Sequence, residues 1–216
     1  MFYQGEPDKM LRFGDVVKGY ISIDLDIKKP LSSAEIKAED YQYKLDVNIP
    51  AYSVVLTPCC SIEDGIIALT PLIRVFGDFL KNPYFEEDLT RINRLMDPNQ
   101  MLSPAKWKGL SLEEQEAIMA KGNQYALTNY FIYEQNDILK EYTLKKRNIR
   151  YYMIDFRNMN KIKCKMIKRS DKLTEEDAPL LESKALQLSV ETRRELRDKI
   201  AYYYYRPPEE DQILEE

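Results

Sequence analysis

The feature that most limits what this chain can fold into is an alternation of apolar and polar residues that starts at Gly14-Asp15. Val17, Gly19, Ile21, Ile23, Leu25 and Ile27 share one parity, while Lys18, Tyr20, Ser22, Asp24 and Asp26 share the other. Successive side chains of an extended strand point to opposite faces, so a period of two predicts a half-buried strand. After Pro30 and a polar connection, Tyr41, Tyr43, Leu45, Val47 and Ile49 alternate with Gln42, Lys44, Asp46 and Asn48 as far as Pro50. Residues 53–56 (SVVL) and 66–72 (IIALTPL) are nearly all apolar, and an Asp64-Gly65 turn lies between them. Such short apolar runs bounded by turn signals predict buried strands. Residues 12–74 are therefore expected to form a β-meander, two amphipathic strands followed by two buried ones.

The period changes after Val75. In residues 86–96 (EEDLTRINRLM) Leu89, Ile92 and Met96 fall at helical spacing and predict a helix, and Ser111-Leu112-Glu113-Glu114 is a capping box expected to open a helix that stops at Gly122. Residues 75–122 thus read as a mainly helical insertion, with Trp107 as the aromatic anchor that docks it on the sheet. Strand patterning returns in 123–169, at 125–133, 151–156 and 161–166. The last two are expected to pair as a basic hairpin turning at Asn158-Met159-Asn160. Ser189 caps an amphipathic helix over 189–206, with Val190, Leu196, Ile200, Tyr203 and Tyr204 as its buried stripe and Pro207-Pro208 as its stop. The expectation is one α+β domain spanning residues 1–216.

Composition removes several function classes. The 216 residues contain no histidine and 3 cysteines. A Ser-His-Asp or Cys-His system and a histidine metal site are excluded within this chain. Two adjacent cysteines and one distant one form neither a disulfide framework nor metal-ligand spacing, so no metal or cofactor is expected. The longest nearly apolar stretch, 65–73, is too short to span a bilayer. The first fifteen residues show no secretory pattern, and with the cysteine usage they suggest a reducing cytoplasm.

Charge is unevenly placed. Residues 140–169 carry 11 lysines and arginines against Glu141 and Asp155, in a chain whose net charge is −4. Lys145, Lys146, Arg147, Arg150, Arg157, Lys161, Lys163 and Lys165 interleave there with Tyr142, Tyr151, Tyr152 and Phe156. Phosphate contacts from cations combined with base stacking on aromatics is the physics of single-stranded nucleic-acid binding. The same lysines on an edge strand can instead only guard it against aggregation, and an acidic protein partner, or the chain's own acidic residues 209–216, is a third fit. Tyr202 and Tyr205, outside the helix stripe, are candidates for a protein interface or homodimer. Asp24 and Asp26 share a strand face and are more simply its solvated side than a cation site. Cys60, in the turn after a buried strand, is a candidate nucleophile that lacks a histidine to activate it.

Three blocks in order resemble the MazF/PemK family of toxin-like small β-barrels. They are Gly14-Asp15-Val16-Val17, then Ala51-Tyr52-Ser53-Val54-Val55-Leu56-Thr57, then Ile66-Ile67-Ala68-Leu69-Thr70-Pro71-Leu72. Leu188-Ser189-Val190-Glu191 before an amphipathic helix is similar to the family's closing helix. The resemblance implies a small Src-homology-3-like barrel carrying the helical insertion and the C-terminal helix, in a bacterial toxin–antitoxin or defence context. The family's endoribonuclease activity uses an arginine just before the second block and a threonine ending the third. Here Pro50-Ala51-Tyr52 stands at the first place and Ile73 at the second, with Thr70 the nearest threonine. The expected function is a MazF/PemK-like module that has lost efficient cleavage and binds RNA or a protein partner. The alternatives are a divergent endoribonuclease, in which Arg147, Arg150 or Arg157 would stabilise the phosphorane, and a thiol enzyme built on Cys60.

Overall fold

The structure is a computed structural model that describes residues 1–8, 11–18, 22–27, 43–61, 65–81, 88–96, 109–114, 117, 124–125, 127–163 and 184–205. Trp107, Gly122, Cys164, Lys165 and the acidic residues 209–216 lie outside these. The fold is α+β, with antiparallel sheets and one long C-terminal helix, and the described strands do not close into a barrel. No helix among the described residues is long and apolar enough to cross a membrane.

The alternating run from Gly14 becomes two strands, β1 (Val16–Lys18) and β2 (Ser22–Ile27). Their partners are β4 (Tyr52–Val55) and β3 (Tyr43–Asn48). Val16 pairs with Val54 and Lys18 with Tyr52, while Ser22 pairs with Asn48 and Ile27 with Tyr43. The two ladders share one register, with no residue gained or lost between them. Only the first belongs to the main sheet, because β1 also pairs with β14 (Lys184–Leu186) and β4 with β5 (Ile66–Pro71). That sheet runs β13-β5-β4-β1-β14, where β13 is Asn160–Lys163. Val17, Val55, Ile67 and Leu69 are buried with Leu11 on one face, and Val16, Tyr52 and Val54 belong to the larger core on the other.

A second sheet, β6-β12-β9, combines Ile73–Arg74, Tyr152–Asp155 and Tyr130–Tyr133. It is joined to the first by a shared ladder. Met153 pairs with Ile73 in one sheet and Asn160 with Leu69 in the other. Residues 154–159 therefore face only 70–72, and the surplus bulges outward. The expected hairpin between 151–156 and 161–166 is corrected here: β12 and β13 do not pair with each other. The chain running from β5 into β6 is long enough to take both as partners, which outcompetes a local turn. The hairpin of this region is instead β10 (Tyr142–Leu144) with β11 (Arg147–Ile149).

The expected helix over 86–96 is also corrected. Asp88 accepts from Thr90 N at 2.9 Å and opens a 3-10 helix, Leu89–Asn93, followed by the short strand β7 (Leu95–Met96), which pairs with β8 (Gln124–Tyr125). Leu89 and Ile92 are buried as their spacing suggested. Asn93 explains the tight turn: its amide donates to Ile132 O and accepts from Ile132 N, both at 2.6 Å, so it completes the outer edge of β9. A second 3-10 helix covers Gly77–Lys81. At Ser111 the capping box forms as expected, with Glu114 N donating to Ser111 Oγ at 3.2 Å and Ser111 N to Glu114 Oε2 at 2.8 Å.

The C-terminal helix, Val190–Tyr205, is capped by Ser189 through Thr192 N at 3.2 Å. Its stripe differs from expectation: Leu196 is fully buried, but Val190 is exposed and Lys199 takes a buried position. The Lys199 ammonium donates to the Ile92 carbonyl, tying the helix to the 3-10 turn, and burial brings its pKa down to about 7.

A polar centre is buried where β1 begins. Gly14 adopts φ +85°, and a Cβ there would lie 2.7 Å from Leu188 Cδ1, so only glycine fits. Its carbonyl accepts from Tyr133 Oη at 3.0 Å. Asp15 is fully buried; its Oδ2 accepts from Arg12 N at 2.8 Å and faces Lys184 Nζ at 2.8 Å, while Oδ1 has no hydrogen-bond partner. Burial raises the Asp15 pKa to about 6 despite the opposing ammonium.

Candidate nucleic-acid interface

The eight cations singled out from the sequence separate into distinct environments. Lys145 and Lys146 form the turn between β10 and β11, both left-handed, with φ 48° and 66°. A two-residue turn with two positive φ angles normally takes Asn-Gly, since lysine is strained by roughly 1–2 kcal/mol per residue there. Two adjacent ammonium groups are thus held at the tip against conformational preference. The tip rests on the 77–81 turn, for a Cβ on Gly77 would lie 3.4 Å from Lys145 Cε. Arg147 follows, exposed on β11.

On the other side of Gly77, Phe76 is 45% exposed although large and apolar. Its ring meets Tyr130 nearly edge-on at 5.9 Å, and Phe79 meets the same tyrosine at 5.7 Å. Arg157 lies against the far side of this group, with Cζ 5.8 Å from the Tyr130 centroid and Nη2 donating to Tyr130 Oη at 3.1 Å. The bulge between the two sheets is what delivers Arg157 there, since Asp155 ends β12 and Arg157 projects from the surplus residues.

Asp155 orients that guanidinium. Its two carboxylate oxygens take Arg157 Nε at 2.9 Å and Nη2 at 2.6 Å, and Asn129 Nδ2 adds a contact at 3.4 Å. Burial pushes the Asp155 pKa up, but the hydrogen bonds from Arg157 and Asn129 bring it below the usual carboxylate range. The fork is bidentate, so Arg157 keeps one orientation while more than half exposed. Cation, aromatic group and lysine turn therefore follow one another over the surface: Arg157, Tyr130, Phe76, Lys145.

The other predicted residues stand apart from this group. Arg150 is tied to Asp137 at 3.0 Å and Glu141 at 3.7 Å, so it clamps its own loop. Lys161 and Lys163 occupy exposed positions of β13, the outer strand of the five-stranded sheet, opposite Ala68 and Ile66. Thr70 is fully buried and gives its hydroxyl to Asp155 O at 3.4 Å. Cys60 is exposed in a 3-10 turn with Ser61 Oγ 3.8 Å from its sulfur. Among the described residues no group of three or more His, Cys, Asp or Glu side chains is placed to hold a metal ion.

Tyr205 points outward, 86% exposed, as its place in the helix suggested, but Tyr202 is only partly exposed. Tyr203 packs on Phe156 at 5.7 Å, while Tyr204 is half exposed and donates to Phe156 O at 2.7 Å. The aromatic group Phe76, Phe79 and Tyr130 escapes sequence reasoning because it straddles an expected boundary. Phe76 and Phe79 fall in the insertion of the sequence reading, and Tyr130 in a returning strand. Neither a scan against protein-family models nor searches of curated proteins and of solved structures finds a match for this chain.

Proposed function

We propose that this chain is a binding module for single-stranded RNA and that the Arg157–Tyr130–Phe76–Lys145 surface is where the strand lies. One observation carries the reading: an exposed phenylalanine ring is presented between an oriented guanidinium and a strained lysine turn. A ring with an open face stacks a base whatever its identity, and cations on either side meet the flanking phosphates. The order β1, β4, β5 and the helix capped by Ser189 are elements that a MazF/PemK-like barrel would contribute, which supports placing the module in that toxin-like class. Binding without efficient cleavage fits the local chemistry, because Thr70 is buried with its hydroxyl engaged and Asp155 is committed to Arg157.

The test is fluorescence anisotropy of a labelled single-stranded oligoribonucleotide titrated with the protein at several salt concentrations. Log affinity is expected to fall linearly with log salt. Phe76→Ala is expected to weaken binding by about 1–3 kcal/mol, the range for loss of one stacking platform. Absence of binding at low salt, or an unchanged affinity for Phe76→Ala, would overturn the reading. Gel analysis of the same RNA after incubation separates binding from cleavage.

A further inference from the structure

Arg157 adjoins a second aromatic group besides the one that contains Phe76. The ring of Phe156, its covalent neighbour, packs on Tyr203 at 5.7 Å, and Tyr203 meets Tyr204 nearly edge-on at 4.9 Å. The Tyr204 hydroxyl donates to Phe156 O at 2.7 Å, with Met159 Sδ 3.8 Å away. The C-terminal helix supplies both tyrosines, and the bulge between the two sheets supplies Phe156, Arg157 and Met159. Hydrogen bonds and charge from Asp155 are the main causes that hold the Arg157 pKa above its usual value, and the phenols of Tyr130 and Tyr203 add to them. The guanidinium is therefore within electrostatic reach of both aromatic groups. Each group leaves a large side chain in water: Tyr204 is 49% exposed and Met159 41%, beside 45% for Phe76.

We propose that Tyr204 is a second base-stacking platform for single-stranded RNA, with Arg157 meeting the phosphate that joins the two stacked nucleotides; this rests on the reading of the surface given above. Covalent order supports it. Every phosphate of a strand links two nucleosides, so a cation shared by two aromatic groups matches the succession base, phosphate, base. The donors of Arg157 support it as well. Nε and Nη2 are engaged by Asp155 and Tyr130, whereas Nη1 makes no hydrogen bond among the described residues and is left to donate to a phosphate oxygen.

The platform is also held in advance. Tyr204 is anchored at its hydroxyl, and its helix is fixed to the body of the fold by the buried Leu196 and by the bond from Lys199 to Ile92 O. The Phe156 backbone is fixed in turn, donating its N–H to Asn129 O at 2.9 Å. Little side-chain freedom is then left to lose when a base stacks. The recognised unit becomes a splayed dinucleotide, and its bases are interchangeable because every base has a π-face.

The experiment titrates the full chain into a labelled oligouridylate by fluorescence anisotropy. Tyr204→Leu keeps apolar bulk and removes the ring, so affinity is expected to fall roughly five- to a hundredfold, as for loss of one stacked base. Its salt slope should match the parent's, because a ring releases no counterions. Tyr204→Trp keeps a stacking surface and is expected to retain the parent's affinity. Its emission, added to that of the parent's single Trp107, should be quenched by unlabelled oligouridylate. Undiminished affinity in Tyr204→Leu, or no quenching in Tyr204→Trp, in a protein whose binding Phe76→Ala weakens, would overturn the second platform and leave the first standing. Weakening by Tyr204→Leu without any effect of Phe76→Ala would keep Tyr204 and overturn the placement of the strand on Phe76. Where Tyr204→Leu also moves the urea midpoint, the quenching in Tyr204→Trp decides. A parent that takes up no RNA at low salt would overturn both readings.

Discussion

Two carboxylate–cation pairs in this molecule use the same chemistry to opposite effect. Asp15 faces Lys184 at 2.8 Å with both side chains almost wholly buried, and its pKa rises to about 6. Asp155 holds Arg157 at 2.6 Å with the guanidinium mostly in water, and its pKa falls. Desolvation wins at the first site because one ammonium cannot replace the water both groups have lost. Hydrogen bonding wins at the second because the fork fills the carboxylate while solvent still reaches the cation. The buried pair fixes where β1 starts; the surface pair aims a cation outward. Burial, more than ion-pair distance, divides structure from presentation.

The largest expected effect comes from breaking the buried pair. Asp15→Ala leaves Lys184 with the Asp8 carboxylate at 3.3 Å and the Asp8 carbonyl at 3.1 Å as its partners, and should lower stability in urea by about 1–3 kcal/mol. A loss below about 1 kcal/mol would mean that Asp8 alone balances the Lys184 charge. The pH dependence sharpens the contrast next. Between about pH 4 and 6 the folded chain keeps the Asp15 proton that the unfolded chain has released, so stability from this group falls as pH rises. Lys199 acts in the opposite sense: between about pH 7 and 10 the unfolded chain holds a proton that the folded chain does not, so stability rises with pH. Together these two groups place a minimum near neutrality. Urea titrations across pH should show the acid limb flattened in Asp15→Asn and the alkaline limb flattened in Lys199→Met. Asp155 contributes outside both windows, because its stabilisation is lost only as pH falls below about 4, through its lowered value.

Smaller effects are expected at the presenting surface. Exchanging Lys145-Lys146 for Asn-Gly should raise stability by about 1 kcal/mol, since the new residues suit the left-handed turn. The same exchange should reduce the salt dependence of RNA binding by a slope of roughly 1.4, because two phosphates of a single strand would no longer be neutralised. A gain in stability with unchanged RNA affinity would assign the turn no binding role. Arg157→Ala should weaken RNA affinity and also lower the urea midpoint modestly, because the buried Asp155 carboxylate would keep only Asn129 and the backbone N–H of residue 157 as donors.

The same contrast governs what the sequence could reveal. Periodicity located β1 to β5 and the Ser189 cap because those features depend on neighbours along the chain. It could not show that residues 154–159 face 70–72, since that depends on a ladder formed with a strand some eighty positions away. Of the candidate site, Arg157 and Lys145 were legible as charges but not as neighbours of one aromatic group. Arg150 is equivalent to them in sequence, yet in the fold it pairs with Asp137 and Glu141 of its own loop. Lys199 was hidden because a lysine on a helix reads as solvated surface.

The pairing of β1 with β14 has a kinetic consequence. Val16 meets Leu186, so the strand that opens the sheet is joined by one that the ribosome makes some 170 residues later. Until then that edge of β1 is bare, with Asp15 lacking the lysine that faces it in the finished sheet. Such non-local pairing slows folding, because the entropy of closing a long loop is spent before the contacts form. Completion of the main sheet is therefore expected to be among the last events of folding, with the incomplete chain prone to association through that edge.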